Sequence, residues 1–125
     1  MGIALDEISL LEEILNKKLS SERLSFKMSV HFQDRANDLR NNPRITITEL
    51  QGIFDRLTTA HLNKLIKFND LDTFNVRCTR TDINIPCAVN VISDGLGYGH
   101  RKIIAITVMR KRDFRSKDSD EIRLL

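Results

Sequence analysis

Tryptophan is absent from this 125-residue chain, tyrosine occurs once, and phenylalanine supplies the other six aromatics. So short an aromatic set argues against a broad platform on which nucleobases could stack. No apolar run approaches the roughly 18 residues of a membrane span, and the N-terminus does not show the basic, apolar, small order of a signal peptide. Glycine is sparse, and its one cluster, Asp94-Gly95-Leu96-Gly97-Tyr98-Gly99, reads as a hairpin loop. No helix and no Lys-Ser/Thr pair follow it, which excludes a Walker or dinucleotide loop. GxSxG, HExxH and EF-hand patterns are missing as well. The two cysteines, Cys78 and Cys87, have neither CxxC spacing nor histidine companions. Two reduced core thiols are expected there, not a metal site or a disulfide, and the setting expected is the cytoplasm.

What remains is an ordinary globular composition, 41% hydrophobic and 30% charged, long enough for one domain with a core of its own. The formal net charge is +3, but it is unevenly placed. Residues 1–62 carry 8 basic and 9 acidic side chains, whereas residues 63–125 carry 12 and 8. Arg101, Lys102, Arg110, Lys111, Arg112, Arg115 and Lys117 stand in one segment against Asp113 alone. A local positive field of that kind attracts polyanions, and phosphate contact is its simplest use; a solvated strand end with a basic tail is the competing reading.

Hydrophobic spacing divides the chain in two. Leu5, Ile8, Leu11, Leu15 and Leu19 repeat at helical spacing, with acids early and Lys17–Lys18 late, matching the helix dipole. Leu24, Phe26 and Met28 alternate as in a short strand. Ser29 is a plausible N-cap for a helix over 30–42, closed by Asn41-Asn42-Pro43. Thr46-Ile47-Thr48-Glu49 is a capping box, opening a helix to about Phe68. After Asp72 the period falls to 2. Strands are expected over 74–79 and 83–91, with Pro86 marking an edge or bulge. Lys102–Arg110 reads as a central strand, and 120–125 as a last one. The sequence therefore predicts an α+β domain, with helices near 4–19, 30–42 and 47–68 against an antiparallel sheet from 73–125. Residues 1–23 either pack on the 24–125 core or contact a partner.

The helix over 30–42 carries the most informative residues. Met28, Phe32, Ala36 and Leu39 centre on one narrow face; Arg35 projects roughly 55° from that centre and His31 roughly 95°. A titratable imidazole and a fixed cation one turn apart at a core's edge suit phosphoryl or acid–base chemistry. The plainer reading is a snorkelling Arg35 paired with Asp38 or Asp34, beside a structural histidine. Asp34, Asp38 and His31 could suggest a metal cluster, but such carboxylates are commonplace on a polar helix face. His61 continues the Leu50, Phe54, Leu57 and Leu65 stripe, where a boundary or core histidine is the usual occupant.

The run Met28-Ser29-Val30-His31-Phe32-Gln33-Asp34-Arg35-Ala36, with Glu49-Leu50 and Ile53-Phe54 downstream, resembles the phage RegB-type endoribonucleases. That family belongs with the RelE and YoeB toxins among small ribonuclease folds. The resemblance implies metal-independent RNA cleavage, no cofactor, a host cytoplasm during infection, and a catalytic role for His31. It also admits the host ribosome or a ribosomal protein as partner. The family's second functional histidine falls near Asp55, where this chain has no imidazole; His61 lies six residues later. The blocks His31–Asn41, Thr81–Pro86 and Thr107–Lys111 also resemble phage proteins of unassigned function, which bring no activity with them.

Metal-free RNA cleavage uses the substrate's 2′-OH as nucleophile, which DNA does not offer. The enzyme must take that proton, protonate the leaving 5′-oxygen and offset charge on the phosphorane. Imidazole suits either proton transfer, and guanidinium suits the charge. The candidate catalytic residues are therefore His31, Arg35 and His61, with Arg101, Lys102, Arg110, Lys111 and Arg112 holding nucleic acid. The alternative is a non-catalytic phage interaction protein that binds a host protein or nucleic acid through its basic sheet edge.

Overall fold

The computed structural model describes residues 2–93, 95, 99–116 and 120–125. Helix α1 (Leu5–Leu19) leads through a 3₁₀ turn (Ser20–Glu22) into β1 (Leu24–Met28); α2 (Val30–Ala36), α3 (Ile47–Ala60) and the short α4 (Leu62–Leu65) follow. Then come β2 (Thr73–Cys78), β3 (Ile83–Ser93), β4 (Gly99–Ala105), β5 (Met109–Arg110) and β6 (Asp120–Leu124). The strands form one sheet in the order β1-β4-β3-β2-β6, with β5 paired to β3. Asp94, Leu96, Gly97 and Tyr98, most of the expected hairpin loop, lie outside the described residues, as does Lys117.

The α+β class and the helices-first order are as expected, but the sheet is mixed, not antiparallel. β1 runs parallel to β4, and β6 runs parallel to β2; the inner pairs β2–β3 and β3–β4 are antiparallel. Period-2 alternation reports which face a residue takes and is blind to strand direction. Leu24, Phe26 and Met28 of β1 meet Phe74, Val76 and Cys78 of β2, and Ile83, Ile85, Cys87 and Val89 of β3, in one continuous core. Helix α1 is integral to it through Ile8, Leu11, Leu15 and Leu19. Phe54 of α3 packs edge-on to Phe26, ring centroids 5.6 Å apart, and tilted against Phe32 of α2.

Three elements differ from their expected lengths. The helix expected over 30–42 stops at Ala36, and Leu39 is exposed instead of joining the apolar stripe. The Asp38 carboxylate accepts the Arg40 N–H, and the Asn41 amide donates to the Arg35 carbonyl, so side chains replace the helical ladder. The helix expected over 47–68 breaks at His61, whose backbone leaves helical geometry at φ −121°, ψ 18°. Just before the break, the Thr58 hydroxyl donates back to the Phe54 carbonyl, a contact that bends helices.

The strand expected over 102–110 is two short strands, and Pro86 explains why. Ile106 N–H donates to the Pro86 carbonyl. Proline has no N–H to return the second bond of that antiparallel pair. The chain therefore leaves β3 after Ala105 and rejoins it at Met109, which pairs with Asn84. Pro86 thus lies within a central strand, at the gap between two neighbours on one side.

Candidate functional site

The carbonyl that Pro86 leaves unpaired positions the candidate site. Ile106 O accepts the Ser29 hydroxyl at 2.6 Å, and Ser29 N–H donates to Ala105 O. The same hydroxyl accepts the Phe32 N–H, which makes Ser29 the N-cap the sequence predicts. Helix α2 is thereby fixed to the strand break at its first turn. Its other end is held by the buried Asn41, whose amide donates to Arg35 O and whose Oδ1 accepts the Arg110 N–H of β5. Two polar side chains, each bridging helix and strand, set the spacing between α2 and the 107–111 segment.

Between them opens a cleft of about 500 Å³, lined by His31, Arg35, Asp38 and Arg40 on one side and Thr107, Met109 and Lys111 on the other. His31 is exposed, and its imidazole makes no hydrogen bond to a described residue. Arg35 is partly buried and donates from Nη1 to Asp38 Oδ2 at 3.1 Å. Arg40 forks onto the same carboxylate, Nε to Oδ1 at 3.1 Å and Nη2 to Oδ2 at 2.9 Å. One carboxylate thus holds two guanidiniums at the cleft rim, and the cleft remains net cationic. The Arg35–Asp38 pair is the one the plainer reading of this helix names; Arg40 and Asn41 were not among the expected site residues. Their signal in the sequence is the polar run Asn37-Asp38-Leu39-Arg40-Asn41, where side chains capable of bonding backbone crowd the end of a helix.

The basic residues of 101–112 divide into three groups. Arg110 is framework. Its Nε donates to Pro43 O, Nη1 to Thr81 O, and Nη2 to both Arg44 O and Glu49 Oε1, the last at 2.7 Å. With 9% of its side chain exposed, that fork is spent inside the fold. Burial alone would raise the Glu49 pKa, but hydrogen bonds from Arg110 and Thr46 outweigh it and hold the carboxyl below its ordinary range. Arg101 is likewise engaged, donating from Nε to Phe68 O on the helical side of the sheet. Lys102 is half-buried on the face away from the helices, whereas Lys111 lines the cleft and Arg112 is exposed beside it. None of these three side chains has a bonding partner among the described residues.

His61 lies apart. It caps the C-terminus of α3, is half-exposed, and is not among the residues lining the cleft. The third histidine, His100, was not expected at any site; its Nε2 lies 2.8 Å from Ser25 Oγ, across β1 and β4 on the face that also carries Lys102. Among the described residues, no three His, Cys, Asp or Glu side chains converge as a metal would require. Both cysteines are buried, and no disulfide joins them. No described helix is long and apolar enough to cross a membrane.

No family model matches the sequence, and no curated protein or solved structure is significantly similar to it. None of these comparisons ties the chain to the RegB-type nucleases.

Proposed function

We propose that the cleft between α2 and the 107–111 segment takes an RNA phosphodiester, and that the chain is a metal-independent, phage-type endoribonuclease. The carrying observation is that His31 and Arg35 of α2 and Lys111 just after β5 line one cleft, with the imidazole and the ammonium unengaged by any described residue. In this reading His31 accepts the 2′-OH proton as the oxygen attacks phosphorus. Arg35, Arg40 and Lys111 offset the charge that grows on the equatorial oxygens. The bond to the 5′-oxygen breaks, that oxygen takes a proton from solvent, and a 2′,3′-cyclic phosphate remains. His61 has no part in the step, because it does not line the cleft.

The lone imidazole gives weight to a second reading, in which the same cleft binds RNA without cutting it. Incubation of purified protein with total cellular RNA in EDTA, followed by end mapping, separates the two. Discrete cuts bearing 2′,3′-cyclic phosphates are the expected result. Intact RNA that is nonetheless retarded in a gel would replace the nuclease with the binding protein, and RNA neither cut nor retarded would remove both.

A further inference from the structure

The outer face of α1 carries a pattern the cleft does not use. Leu10 and Ile14 are 55% and 54% exposed although they sit in the middle of a 15-residue helix. With Glu7 and Lys17 they form the series Glu7, Leu10, Ile14, Lys17, spaced three, four and three residues apart. That spacing follows one seam along a helix. The series is also its own complement when reversed. An antiparallel second copy sets Leu10 against Ile14, Ile14 against Leu10, and each Glu7 against a Lys17 of opposite charge.

The surroundings favour close helix approach. A groove of about 450 Å³ opens beside the seam between α1 and α3, lined by Leu11, Ile14 and Leu15 on one side and Thr48, Gln51 and Gly52 on the other. Gly52 stands in the interior of α3, where glycine costs about 1 kcal/mol relative to alanine. Beyond its own helix backbone, no described atom lies within 4 Å of the place its Cβ would occupy, so packing among the described residues does not account for it. An incoming helix backbone would. The Lys17 ammonium has no partner among the described residues, and Glu7 uses only Oε1, which accepts the Ala4 N–H. Lys18, by contrast, is already bonded to Asp55, Thr58 and Thr59.

We infer that the chain forms a two-fold symmetric dimer through antiparallel α1 helices, an isologous contact of the kind most homodimers use. Apolar residues hold the middle of the seam, and the Glu7–Lys17 pairs at its ends choose the antiparallel direction. Sedimentation over a concentration series tests it, with circular dichroism as the check on folding. The wild type should pass from monomer to dimer. Ile14→Asp, exposed in the single chain, should stay folded and monomeric. Lys17→Glu should weaken association about tenfold or more by facing two acids across the seam, and Glu7→Lys with Lys17→Glu should restore it. A wild type that stays monomeric, leaving the seam to some other protein, would overturn the inference. So would a dimer that survives Ile14→Asp, or a double variant no tighter than Lys17→Glu.

Discussion

Arg110 and His31 show how far apart two cleft residues of similar promise can stand. Both were expected to handle RNA; one is locked among three carbonyls of neighbouring loops and the Glu49 carboxylate, and the other is open. Periodicity tells which face a residue takes but not whether its donors are already used, and that is why the basic run read as uniform. The Glu49 contact has a pH signature. Its folded pKa lies below the ordinary value, so its contribution is complete above about pH 5 and is lost as pH falls through the folded pKa. Glu121, held low against its own burial by Arg123 and Arg77, adds a loss of the same sign. Glu49→Gln should therefore cost about 1–3 kcal/mol at neutral pH, and the gap to wild type should narrow as acid is added. Urea melts at neutral and acid pH measure both; a gap that stays constant would mean the carboxylate's charge is irrelevant.

Among the elements, β1 was legible as a strand and illegible in its placement. No described strand pairs with its outer edge, and α1 covers it instead. The Asn16 amide donates to Phe26 O and accepts the Phe26 N–H, while Glu12 accepts the Met28 N–H. A side chain thus stands in for a missing strand and guards an edge that would otherwise invite pairing with another chain. Asn16→Ala should leave two backbone groups without protein partners, lower stability by about 2 kcal/mol, and speed amide exchange at Phe26. Unchanged exchange there would show that Asn16 is not the guard. Other elements were plain from the sequence. The Thr46–Glu49 box caps α3 with both reciprocal bonds, and Ser29 caps α2. Caps are local, needing two or three neighbouring residues, and so they can be read. The break of 102–110 depends on Pro86, twenty residues away, and on Ser29, far earlier still; neither partner is visible from the strand itself.

At the scale of the whole molecule, the helical layer, the mixed sheet and the cleft form one causal chain. Proline at 86 forces the strand switch, the switch frees the Ile106 carbonyl, Ser29 binds it, and α2 then holds His31 over the 107–111 segment. The α+β class and the placing of His31 and Arg35 at one edge of a helix's apolar face could be read from residue spacing. That Lys111 stays open in the cleft while Arg110 is spent inside the fold, and that His61 lies apart, follows only from the assembled fold. The central claim is that His31 transfers a proton to or from bound RNA. The measurement that bears on it most directly is the cleavage rate of His31→Ala on one RNA in EDTA, with the melting temperature taken on the same sample. Because the side chain is exposed and makes no bond to a described residue, melting should be nearly unchanged, while the rate should fall about a hundredfold or more. Cleavage at the wild-type rate, or a variant that no longer folds, would contradict the account.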